Sequence, residues 1–200
     1  MTAFTMPCWH AFERLCWLAL AACFAVAAHA ADKPVVERAA IRYAAAGPLL
    51  DARVALQLTP AVADALARGI AQPFVFELEI ERQRRWWLNE DVFEARRRIK
   101  LGYNLLLRTW LVESETRSRQ FTSLDEALAA LGQLDGWALP NPPELRPGQR
   151  YEARLRLRID TEALPKPLII GAFTSDKWEL ATPWYVWGFD GPPPDKPADR

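Results

Sequence analysis

The chain has 200 residues, with 25 basic and 25 acidic side chains and no formal net charge. That balance argues against a general nucleic-acid binder, whose affinity rests on excess positive charge. All cysteines and histidines (Cys8, Cys16, Cys23, His10 and His29) precede Ala30, so a chain beginning at Ala31 has no Cys-His or Ser-His-Asp nucleophile, no imidazole acid or base, and no thiolate or imidazole zinc site.

The first residues read as an export signal. Arg14 lies in a polar stretch, residues 15–28 form an apolar run, and Ala28-His29-Ala30 is a small-residue peptidase site, so cleavage after Ala30 is expected. Leu20-Ala21-Ala22-Cys23 offers a second processing site, a lipoprotein box that would leave the chain anchored through Cys23. The apolar run falls short of the about 20 residues of a membrane helix. No second candidate follows it, so no transmembrane span is expected after cleavage. Residues 31–188 then form one domain, and the Pro-rich residues 189–200 a disordered tail.

Residues 36–43 alternate as a strand. Leu50, Ala52, Val54, Leu56 and Leu58 face one way and Asp51, Arg53 and Gln57 the other, as in a half-buried strand. Thr59-Pro60 begins a short helix with Val62, Leu66 and Ile70 on one stripe and Gly69 near its end. Phe74, Phe76, Leu78 and Ile80 alternate with Val75, Glu77, Glu79 and Glu81 in the next strand, which leads into Arg84-Arg85-Trp86-Trp87. After a turn at Asn89-Glu90-Asp91 come Phe93, Ala95, Arg97, Ile99 and Leu101. Gly102 marks the turn of a hairpin whose return strand is residues 103–113, and Gln120 and Phe121 close the β run.

Ser123-Leu124-Asp125-Glu126 has the form of a capping box, opening a second short helix to about Leu131. A Pro-rich turn over 140–148 precedes Tyr151, Ala153, Leu155, Leu157 and Ile159, which alternate with Glu152, Arg154, Arg156 and Arg158. Pro165-Lys166-Pro167 interrupts the chain and residues 168–173 resume an apolar strand. The stretch from Trp178-Glu179-Leu180 through Trp184-Tyr185-Val186-Trp187 supplies a final strand, which Pro183 within it restricts to a sheet edge. The pattern predicts a mainly β protein, an antiparallel β-sandwich of generally Ig-like architecture with two short helices.

Tryptophan is the unusual residue after Ala30: Trp86, Trp87, Trp110, Trp137, Trp178, Trp184 and Trp187. Such rings serve as flat platforms or interface anchors, or simply fill the core. Of the adjacent pair Trp86 and Trp87, the pleat sends one inward and one outward. The ladder Arg154, Arg156, Arg158 matches the ladder Glu77, Glu79, Glu81. If these strands are neighbours, the ladders neutralise each other; if not, the arginines form an anion-binding face that Arg96-Arg97-Arg98 and Lys100 could extend. Catalysis would need a carboxylate pair or a lysine-activated serine. Glu90 and Asp91 beside Trp87, and Ser175 near Lys177, have no spacing that specifies such a site. No calcium loop or phosphate-cradling glycine loop is present, so no metal and no cofactor are expected.

Several stretches in order resemble the domain of unknown function 4390 family: Leu49-Leu50-Asp51-Ala52, Arg84-Arg85-Trp86-Trp87, Leu101-Gly102-Tyr103-Asn104-Leu105, Phe121 through Leu128, Leu164-Pro165-Lys166-Pro167-Leu168, and Trp184-Tyr185-Val186-Trp187. The resemblance spans nearly the whole chain after Ala30. It implies an exported protein of Gram-negative bacteria, often encoded beside a membrane sensor histidine kinase of the nitrogen-regulation type. It carries no catalytic residues to transfer.

The expectation is a non-catalytic periplasmic binding module that contacts an envelope protein, such as a sensor kinase. Trp86, Trp87, Trp184, Tyr185 and Trp187 are the expected contact residues, with Arg84 and Arg85 as charged neighbours. A glycan-binding module for peptidoglycan or exported polysaccharide is the alternative, and a carboxylate-dependent glycosidase the third reading.

Overall fold

A computed structural model describes residues 33–82, 90–141, 144–163 and 180–193. In chain order the described elements are β1 (Val35–Ala44), β2 (Gly47–Ala55), α1 (Pro60–Ala67), β3 (Gln72–Arg82), β4 (Glu90–Asn104) and β5 (Thr109–Ser114). They continue with β6 (Ser118–Phe121), α2 (Leu124–Leu131), β7 (Gln133–Ala138), β8 (Arg150–Ile159) and β9 (Tyr185–Asp190). All belong to one compact unit, Lys33–Arg200.

The strands form two antiparallel sheets, one ordered β1-β2-β7 and the other β6-β5-β4-β3-β8-β9. The fold is therefore mainly β and sandwich-like, as the alternating pattern predicts. Leu50, Ala52 and Val54 of β2 join Phe74, Phe76, Leu78 and Ile80 of β3 and Leu155 and Leu157 of β8 in one hydrophobic core. Each Leu, Val, Ile or Phe side chain among them contributes roughly 1.5–3 kcal/mol by leaving water. Val62 and Leu66 of α1, and Ala127 and Leu131 of α2, seal the same core. Between β1 and β9, the Tyr43 hydroxyl donates to the Asp190 carbonyl at 2.9 Å.

Several local expectations shift. The β4–β5 hairpin turns beyond Gly102, which sits inside β4 paired with Leu111. The turn is made instead by Asn104, whose Oδ1 accepts the amides of Leu106 and Leu107 at 3.0 Å each, with Arg108 at φ +53°. The Ser123 hydroxyl caps α2 by accepting the Glu126 amide at 3.2 Å, but the Glu126 carboxylate accepts from the Thr122 hydroxyl rather than closing the reciprocal half of a capping box.

Strand β7, absent from the expected elements, completes the smaller sheet. Strand β9 is an edge strand that begins only after Pro183, and it runs two residues past Gly188, with Phe189 and Asp190 paired to Tyr151 and Arg150. The segment 1–30, the apolar stretch 168–173 and the tail from 194 onward lie outside the described residues.

Candidate functional site

The pleat of β4 divides its run of three arginines. Arg96 and Arg98 lie opposite Glu77 and Val75 on the outer face of the larger sheet. Arg97 lies opposite Phe76, in register with the core residues Ala95 and Ile99, so alternation alone turns it toward the space between the sheets.

Trp137 of β7 faces it from the smaller sheet, with the Arg97 guanidinium carbon 5.9 Å from the ring centroid, within cation–π range. A bulge delivers that ring. Leu134 and Trp137 are both buried although three residues apart, a spacing that strict alternation forbids. The β2–β7 register slips between Leu50 and Ala52, and Gly136 takes up the extra residue at φ +60°. Its amide donates to Asp51 Oδ1 at 2.6 Å. Arg42 braces the same carboxylate through Nη2 at 3.2 Å and through Nε. The Arg42 hydrogen bond, followed by the Gly136 amide, outweighs burial and holds the Asp51 carboxyl below its ordinary range.

Between these elements lies a cleft of about 340 Å³, lined by Arg97, Trp137, Gly136, Asp135 and, from the β5–β6 turn, Glu115 and Arg117. That turn is closed by the Ser114 amide donating to the Arg117 carbonyl at 2.7 Å. Burial pulls the Arg97 guanidinium below its ordinary range, Arg117 adds to the effect, and Glu115 opposes it. Among the described residues no ion pair joins Arg97 to a carboxylate. A half-buried guanidinium remains charged at any physiological pH. The cleft therefore presents a planar cationic fork beside a flat indole, a combination suited to carboxylate or phosphate groups.

The other arginines of the expected anion face have partners. Strands β3 and β8 are neighbours, with Glu77 opposite Arg156 and Glu79 opposite Arg154, so the condition for cross-strand neutralisation holds. Glu77 is only 5% exposed. It accepts from Arg156 Nε at 2.6 Å and from Arg158 Nη2 at 2.7 Å. Arg154 reaches Glu79 at 2.8 Å and also pairs with Glu81. Arg98 bonds the buried Asp160 at 2.8 Å, and Arg96 stands 3.7 Å from Glu77. Among these residues it is Arg97 that points away from the ladder.

Trp184 covers the same outer ladder, its ring centroid 4.2 Å from the guanidinium carbon of Arg156. Tyr185 and Trp187 lie on the inward face of β9, half-buried against the core, with ring centroids 5.7 Å apart. Arg84, Arg85, Trp86 and Trp87 lie outside the described residues, as do Ser175 and Lys177. Glu90 pairs with Arg82 across β3 and β4.

A family model for a domain of unknown function, DUF4390, matches residues 31–188. The chain belongs to the DUF4390 family. No curated protein and no solved structure matches it. Among the described residues of this DUF4390 domain, no helix is long and apolar enough to cross a membrane, and no cluster of three acidic, histidine or cysteine residues could hold a metal ion.

Two residues of the DUF4390 cleft escaped the expected contact set. Arg97 carried a readable signal, since it shares parity with Phe93, Ala95, Ile99 and Leu101, but a run of three arginines suggests one charged face where a strand allows only alternate members. Trp137 carried less, because the bulge at Gly136 breaks the alternation that would have revealed its strand.

Proposed function

We propose that this DUF4390 protein is a non-catalytic binding module of the periplasm, exported by its N-terminal segment, that recognises an anionic group on an envelope partner. The observation that carries the reading is Arg97: an inward-facing arginine over Trp137, in an open cleft, without an ion-pair partner among the described residues. Burying a cation disfavours folding unless something compensates, so a guanidinium kept in that position is better accounted for by a ligand than by the fold. The extracytoplasmic part of a membrane sensor kinase is the partner we favour. Trp86 and Trp87, with Arg84 and Arg85, remain proposed contact residues.

The test is crosslinking of the tagged protein in its native envelope, followed by mass spectrometry, with wild type beside Arg97→Met and a Trp86/Trp87 double alanine variant. Capture of one membrane protein, lost in folded Arg97→Met, supports the reading. Equal capture by wild type and Arg97→Met removes the cleft from it.

An acidic glycan is the second reading, favoured by the indole wall beside the guanidinium. It requires a saturable change in tryptophan emission on adding peptidoglycan fragments, and a flat titration argues against it.

A further inference from the structure

The β4–β5 hairpin ends in three consecutive leucines that the fold leaves in water. Leu105 is 56% exposed, Leu106 94% and Leu107 63%. Exposed leucines are ordinary when scattered; three in sequence at the tip of a hairpin form a concentrated apolar cap. The tip is built to hold this shape. Asn104 Oδ1 accepts the amides of Leu106 and Leu107, Arg108 takes a left-handed conformation, and Leu105 leans over Gly69 at the end of α1, where a Cβ would lie 3.2 Å from its Cδ1.

We propose that this hairpin tip inserts into the surface of an anionic bilayer. Consecutive side chains around a tight turn splay in different directions, so a rigid groove would engage one or two of them. A fluid apolar phase accepts all three. One step below the tip, Tyr103 and Trp110 pair across the hairpin with ring centroids 4.7 Å apart. At about 3.3 Å per strand residue, these rings reach the headgroup level when the leucines sit about 5–10 Å deep. Tyrosine and tryptophan favour that level because each has an apolar body and a polar handle.

The charge around the tip has the matching sign. Arg108 follows the leucines directly and Arg68 precedes the glycine beneath Leu105, whereas the acid of this hairpin nearest in sequence to the leucines, Glu113, lies below the Tyr103–Trp110 pair, opposite Lys100. Long basic side chains at this height reach lipid phosphates while the leucines enter the acyl region. The partners that Arg97 would bind play no part in this contact.

No cysteine follows Cys23, so Leu106→Cys in the chain from Ala31 carries a single thiol for an environment-sensitive dye. The probe is vesicles of phosphatidylethanolamine and phosphatidylglycerol, with a lipid-embedded quencher in a parallel sample. A blue shift of the dye on mixing, with quenching from within the bilayer, is the expected result. In the unlabelled protein, Leu106→Asp should lower vesicle affinity at least about tenfold, since an acid replaces a leucine in an apolar phase. Val186→Asp, at an exposed apolar site outside this hairpin, should leave it unchanged. Dye emission indifferent to vesicles would overturn the proposal. So would a shift that follows protein concentration alone with dimers in sedimentation, which would assign the tip to a second copy of the chain.

Discussion

Asp51 of β2 accepts the backbone amide of Gly136 in β7 at 2.6 Å, at the point where the register between those strands slips. A bulge frees an amide from its ladder, and a buried amide without a partner is costly. The carboxylate satisfies it, holds the left-handed glycine, and so presents Trp137 to the core and to Arg97.

Replacing Asp51 with alanine should therefore cost about 1–3 kcal/mol, the range for losing a charged acceptor from a partly buried donor. Urea unfolding gives the magnitude. Altered Trp137 packing should appear in near-ultraviolet circular dichroism, and an unchanged spectrum and midpoint would separate the bulge from this bond.

Gly132, at the end of α2, is fixed by close approach rather than by backbone angle, since its φ of −74° is open to any residue. A Cβ there would overlap the Val54 carbonyl oxygen, while its own carbonyl accepts the Val54 amide at 2.8 Å. Gly132→Ala must push α2 away from β2, at a cost of about 1–3 kcal/mol by the measure of an overpacked site. Thermal unfolding of the variant tests this.

Glu77 makes stability depend on acid. Burial raises its pKa, but hydrogen bonds from Arg158 and Arg156 outweigh burial and hold the carboxyl below its ordinary value of 4.5. A depressed carboxyl pKa contributes stability that is complete above 4.5 and is lost as pH falls through the folded value. Unfolding free energy should thus decline below pH 4.5 in wild type and decline less in Glu77→Gln. At neutral pH that variant should lose about 3 kcal/mol, the low end of the cost of breaking a buried ion pair, because two partly exposed arginines lose their charged partner. Tyr43 acts at the other extreme: burial pushes its hydroxyl from 10.0 up to about 12, so its contribution should fade as pH rises above 10.0.

Much of the sandwich was legible because its strands alternate. Leu155 and Leu157 against Arg154 and Arg156 declare one buried face and one polar face without knowledge of any neighbour. Pairing is a different kind of information: that Arg156 meets Glu77 depends on β8 lying beside β3, and no local pattern encodes strand order. The buried position of Glu77 follows from that pairing, since arginines from both adjacent strands close over it. Gly102 was the obvious turn residue by type, but Asn104 supplied the turn through its side chain, which an alternating pattern around a glycine does not reveal. The cleft was the least legible feature, because Arg97 was hidden in a charge run and Trp137 behind a bulge.

Equilibrium urea unfolding of Arg97→Met beside wild type tests most directly whether Arg97 is kept for recognition. An arginine half-buried without an ion-pair partner is retained at a cost to the fold, so methionine should raise stability by about 1 kcal/mol. A loss of about 1 kcal/mol or more would contradict the account: the guanidinium would then be joining the sheets through Trp137 and Glu115, and the cleft would be a structural contact.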